Sequence, residues 1–136
     1  MKPFSLRIPD GAIADLRERL ARTRFPDEPP LEPWSTGTSL AYLKDLVKYW
    51  RSGFDWRAHE AKLNGFRQYK ASIGGIELHF IHEPGRGASP TPLLLLHGSG
   101  PGVTGWRNFR GNLELFAKHF RCLVLELPGF GVSDPT

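Results

Sequence analysis

Hydrophobic positions recur at helical spacing in the first half of the chain and at strand spacing in the second. Ile13, Leu16 and Leu20 share one helical face, with Asp10 as the expected N-cap. Pro26, Pro29, Pro30 and Pro33 then end that helix and force an extended meander. Leu40, Leu43, Leu46, Val47 and Trp50 form a wide apolar stripe, which predicts a second helix. Thr38 or Ser39 is placed to cap it, and Gly53 to follow it at C′. Asp55 can cap a third, shorter helix through about Leu63, closed near Gly65. Tyr42, Tyr49, Trp50 and Trp56 are expected to pack between helices rather than to build an aromatic substrate box.

Beyond Phe66 the period changes to two. Tyr69, Ala71 and Ile73 alternate with polar partners, as do Ile76, Leu78 and Phe80, and Gly74-Gly75 lies between. Two alternating runs joined by Gly-Gly predict a β-hairpin. His79 and His82 lie three apart on it, on opposite faces, so they cannot share a metal and are read as structural or surface residues. Residues 83–91 read as an exposed loop. Leu93 to Leu96 then form an unbroken apolar run, the pattern of a strand buried on both faces of a parallel sheet. A helix is expected from about Trp106, with Leu113 and Phe116 on one face, before a second buried parallel strand, Arg121 to Leu127. Pro128-Gly129-Phe130-Gly131 makes a turn, and Ser133-Asp134 is placed to cap a following helix.

Composition narrows the class. At 136 residues, 40% hydrophobic and 24% charged, the chain is a soluble globular protein of about one domain. Its net charge of +4 is spread through the chain. The densest basic run, Arg17 to Arg24, is better read as a solvated helix face with a Glu18–Arg22 pair than as a nucleic-acid patch. Cys122, the single cysteine, excludes an intrachain disulfide and fits a reducing cytoplasm. The first ten residues lack the apolar core of a signal peptide, and no apolar run approaches the roughly 20 residues of a membrane span. No membrane or nucleic-acid partner, metal or cofactor is expected, and composition leaves the oligomeric state open.

Candidate chemistry gathers where the leucine run breaks into His97-Gly98-Ser99-Gly100-Pro101-Gly102. A glycine loop between strand and helix can bind phosphate, hold an oxyanion, or simply turn the chain. The phosphate reading fits poorly, because no Gly-Lys-Ser/Thr ending follows and the glycine spacing is not G-x-G-x-x-G.

Specific motifs go further. I-P-D at 8–10, L-R-x-R-L-A-x-T-R-F-P-D at 16–27, L-A-Y-L-K-D-L-V-x-Y-W at 40–50 and G-F-D-W-R at 53–57 resemble the N-terminal region of the microsomal and juvenile-hormone epoxide hydrolases. L-N-G-F at 63–66 and I-x-L-H-F-I-H-E at 76–83 continue that likeness. L-L-L-L-H-G and L-P-G-F-G-V-S-D resemble the opening of an α/β-hydrolase core. The resemblance implies an α/β fold: an N-terminal helical arm, residues 1–66, followed over 67–136 by the first four strands of a truncated α/β-hydrolase. It also implies that the helical arm wraps the core and supports a lid.

By the same resemblance the backbone N–H of Ser99 is one oxyanion donor, His97 orients the loop, and Gly98, Gly100, Pro101 and Gly102 keep it open. The loop departs from the His-Gly-Trp-Pro-Gly usual in epoxide hydrolases with this N-terminal region. H-G-S-G-P-G-V-T-G-W-R-N-F instead resembles the carbon–carbon bond hydrolases of aromatic ring fission, whose nucleophile is a serine. There the asparagine matching Asn108 lies near the substrate. No G-x-S-x-G occurs in the sequence, and one further βαβ step of about 30 residues would carry the nucleophile past Thr136. The expectation is the N-terminal portion of an epoxide hydrolase-like enzyme acting on a small-molecule epoxide or ester-like substrate, inactive as this chain alone. A serine-dependent C–C bond or ester hydrolase, or a non-catalytic truncated product, are the alternatives.

Overall fold

The computed structural model describes residues 1–86 and 90–135. In chain order the elements are β1 (Lys2–Phe4), α1 (Asp10–Ala21), α2 (Leu40–Ser52), α3 (Trp56–Asn64), β2 (Gln68–Ile73), β3 (Ile76–Glu83), β4 (Pro92–Leu96), α4 (Gly105–Phe109), α5 (Leu113–Phe116) and β5 (Arg121–Leu125). They fall into two compact units, one of Met1–Leu6 with Ala61–Thr136 and one of Arg7–Glu60. Part of the loop expected at 83–91 lies outside the described residues.

In the first unit a five-stranded mixed sheet runs in the order β1-β2-β3-β5-β4. Gly74 and Gly75 both take positive φ, 60° and 89°, which supplies the tight turn that pairs Tyr69 with Phe80 and Ala71 with Leu78. β4 and β5 are parallel, joined by α4 and α5, whereas β3 meets β5 antiparallel. Ile81, Leu95, Leu113, Cys122 and Val124 form the core, packed around by Phe66, Leu93, Trp106, Phe109 and Phe120. Burial first, and the Glu83 carboxylate second, push the Cys122 thiol up, so this cysteine behaves as a small core residue.

Several expectations are corrected here. The sheet has five strands rather than four, because Lys2–Phe4 adds an edge strand with Pro3 opposite Tyr69. A proline is tolerated on an edge, where no ladder N–H is required. The leucine strand is not buried on both faces: Leu95 is buried, while Leu94 and Leu96 are 54% and 50% exposed. The helix expected from Trp106 is two short ones, separated by the turn at Arg110–Asn112.

In the second unit α1 packs on α2 around buried Ile13. The Glu18–Arg22 pair forms at 3.0 Å on an exposed face, as the spacing predicts. Capping differs from expectation. Pro9 is the N-cap of α1, and Asp10 turns its carboxylate to Arg7 and Arg57. At the start of α2 the Leu40 N–H donates to Glu28 Oε1 at 2.8 Å, and neither Thr38 nor Ser39 caps through its side chain. Gly53 is the C-cap itself, with φ −103° rather than a left-handed value. Asp55 does cap α3, accepting from the Ala58 N–H at 3.0 Å. Tyr42, Tyr49 and Trp50 are exposed, not packed between helices.

Candidate functional site

The loop 97–102 leaves the C-terminal end of β4 and is held from three directions. His97 is buried and bridges two backbone groups: its Nε2 accepts from the Leu127 N–H at 3.1 Å, and its Nδ1 lies 2.7 Å from the Gly98 carbonyl oxygen. An N–H can only donate and a carbonyl can only accept, which assigns the ring proton to Nδ1. The ring also meets Phe130 edge-on, with centroids 4.9 Å apart.

Asn108 supplies the second hold, since its Oδ1 accepts from the Gly98 N–H at 3.1 Å. It is positioned by α4, whose N-cap Thr104 accepts from the Arg107 N–H at 3.1 Å. Helix α4 lies close on β5 because position 105 is glycine: a Cβ there would stand 2.7 Å from Val124 Cγ1. The third hold is a turn, with Val103 N–H donating to Gly100 O at 3.3 Å and Gly102 at φ 71°. Among the described residues the Ser99 N–H donates to no protein acceptor, and Ser99 is exposed. The loop thus presents the Ser99 amide unspent beside the Gly98 amide, which Asn108 holds.

A second loop, 126–134, follows β5 and folds back on β3. Asp134 exchanges bonds with Glu77, donating from its N–H to Glu77 O at 2.8 Å and accepting from Glu77 N–H at 3.0 Å. Ser133 is buried; its Oγ accepts from the His79 N–H and donates to Glu126 O, both at 2.8 Å. Ser133 and Asp134 therefore fasten to the sheet, and the helix they are expected to cap falls outside the described residues. The sequence pattern does not single out Glu126 and marks His79 only as structural or surface; in the structure both are buried, with His79 Nδ1 3.1 Å from Glu126 Oε2. The available signal was an acidic residue directly after an apolar strand, where burial demands a partner.

The epoxide hydrolase N-terminus family model matches residues 1–103. The chain belongs to that family. Epoxide hydrolase 1 of Sus scrofa is 38% identical over 148 residues, covering 98% of this chain and 32% of its own length. The solved Aspergillus niger epoxide hydrolase superposes on 99% of this chain with TM-score 0.80 and 30% identity, and 37% of that chain is covered. The chain thus spans about a third of the relatives it matches, and it shares their α/β-hydrolase fold over that span. A second likeness, 47% identity over 62 residues, is to a 2-hydroxy-6-oxononadienedioate/2-hydroxy-6-oxononatrienedioate hydrolase of Paraburkholderia phymatum, covering 45% of this chain and 21% of that protein. The resemblance to two hydrolase branches seen in the motifs is present in these relatives. Among the described residues no helix is long and apolar enough to cross a membrane, and no group of three His, Cys, Asp or Glu could hold a metal.

Proposed function

We propose that this chain is the N-terminal portion of an epoxide hydrolase-type enzyme, with residues 1–66 its helical region and 67–136 the opening of the core. The family match over residues 1–103 carries this reading. In the complete enzyme a carboxylate oxygen attacks an epoxide carbon, the ring C–O bond breaks, and the ring oxygen takes a proton from an acid. Water then attacks the ester carbonyl, and the Ser99 N–H stabilises the oxygen that becomes negative. Collapse releases the diol and restores the carboxylate. The substrate is a small epoxide; the reaction calls for no cofactor, nucleic acid or membrane partner, and a cytoplasmic location suits it.

The test is a polypeptide containing this chain and its uninterrupted coding continuation. Styrene oxide should give the diol, and a single turnover in 18O-water should label the enzyme carboxylate rather than the product. The likeness to the Paraburkholderia hydrolase favours one other reading, a serine-dependent hydrolase in which Asn108 contacts substrate. Label appearing directly in product, with inactivation by an organophosphonate, would replace the epoxide reading with that one.

A further inference from the structure

His79 and Glu126 are buried side by side, at 4% and 6% exposure, with Nδ1 3.1 Å from Oε2, and the reaction above does not use them. Gln68 Nε2 donates to Leu63 O at 3.0 Å and to Asn64 Oδ1 at 3.1 Å. That leaves Gln68 Oε1 to accept from His79 Nε2 at 3.0 Å, so the imidazole is fixed in plane with Nδ1 toward Glu126. The backbones join as well, Glu126 N–H donating to His79 O at 3.0 Å. The Glu126 carboxylate then accepts from the Val132 N–H at 2.9 Å and closes the turn between them. The next residue after Glu126 is Leu127, the donor to His97.

We propose that His79 and Glu126 are positioning residues for the oxyanion loop, an inference that rests on the role given above to Ser99. By fixing residues 126–132 they aim the Leu127 N–H and the Phe130 ring, which set the plane and tautomer of His97. His97 Nδ1 in turn holds the Gly98 carbonyl. That carbonyl and the Ser99 N–H belong to one planar trans peptide, so holding the first aims the second in the opposite direction. The order of the loop is thereby tied to a polar pair formed by β3 and the residue that follows β5.

Histidine-15N solid-state NMR tests this, because it reads tautomers whatever the oligomeric state. The chain has five histidines, and His97 is assigned as the signal lost in His97→Asn. The expected result is a single Nδ1–H form of His97 in the natural chain, lost to a mixture of tautomers in Glu126→Ala and His79→Leu. Glu126→Gln keeps an oxygen for the Val132 N–H and should restore the single form. Where a variant fails to fold by circular dichroism, Ser133→Ala decides by the same signal, since it removes only the hydroxyl bridging His79 and Glu126. An unchanged Nδ1–H form in folded variants would overturn the proposal. Failure of the complete enzyme to turn over epoxide would sink the functional reading alone and leave the tautomer result standing.

Discussion

Gly131 lies so close against the carboxylate of Glu126 that a Cβ at this position would overlap both carboxylate oxygens. The glycine also has φ 58°, in the left-handed region. Two costs therefore meet at one residue. A left-handed non-glycine residue costs about 1–2 kcal/mol, and displacing a buried acceptor costs about 1–3 kcal/mol more. Gly131→Ala is expected to destabilise by roughly 3 kcal/mol on these two principles together. Gly129 is the control: its φ is 78° but nothing lies within 4 Å of its Cβ position. Gly129→Ala should cost only the conformational share, about 1–2 kcal/mol. Urea midpoints for the two variants measure the difference, and equal losses would show that the Glu126 contact contributes nothing.

Acid should loosen the helical unit through Arg57. Its side-chain hydrogen bond is the first cause lowering the Asp10 carboxyl, and likewise the first cause lowering Glu60, with the Ile8 N–H second. The Ile8 N–H donates to Glu60 Oε1 at 2.6 Å, and Arg57 Nη1 donates to Ile8 O at 2.9 Å. Carboxyls whose folded pKa is lowered stabilise above their unfolded values, about 3.9 for Asp and 4.3 for Glu, and lose that contribution as pH falls through the folded values. Stability should accordingly fall below about pH 4. Arg57→Ala should be less stable at neutral pH and show a flatter acid slope. Identical slopes in the two proteins, from denaturant midpoints at pH 7, 4 and 3, would refute the assignment.

The hairpin, the helical face at Glu18–Arg22 and the Asp55 cap were legible because each is local: the residues that decide them lie within about one turn or one strand pair. His79 was not legible as a buried group. On an alternating strand a polar position reads as the solvent face, and His79 is buried because Phe4, Gln68 and a much later loop carrying Glu126 and Ser133 close around it. The same holds for the capping of α2, where the acceptor is Glu28, twelve residues from the N–H it satisfies. The leucine run misled in the opposite sense: four apolar residues fit two covered faces, but the described residues cover only the side of Leu95. The position of Ser99 and His97 was legible from the strand–glycine–helix pattern, whereas the bonds that hold them come from Leu127 and Asn108, beyond the motif's own reach.

Asn108 is placed to support the loop before any substrate arrives. Its Oδ1 is the acceptor for the Gly98 N–H. Removing one neutral hydrogen bond of this kind is worth about 1 kcal/mol, roughly fivefold in an opening equilibrium. Asn108→Ala should speed amide exchange at Gly98 by about that factor, and Asn108→Asp, which keeps an acceptor oxygen, should not. Exchange at Gly98 that is indifferent to both changes would leave Asn108 without a role in the loop.

The β4 strand carries the last prediction. It pairs with β5 on one side, and among the described residues its other edge has no strand partner. Leu94 and Leu96 project from one face of it, half exposed, and Leu95 from the other, in the core. A leucine-bearing open edge is a template for pairing with another copy, so the 136-residue chain should associate as its concentration rises. The two faces predict opposite consequences of substitution. Leu94→Glu with Leu96→Lys should lower association while changing stability by no more than about 0.5 kcal/mol, as for other surface positions. Leu95→Ala should leave association in place and cost about 2–5 kcal/mol, because it opens a hole beside Val124 and Cys122. Sedimentation equilibrium separates these outcomes: a natural chain that stays monomeric at every concentration would refute the open-edge prediction.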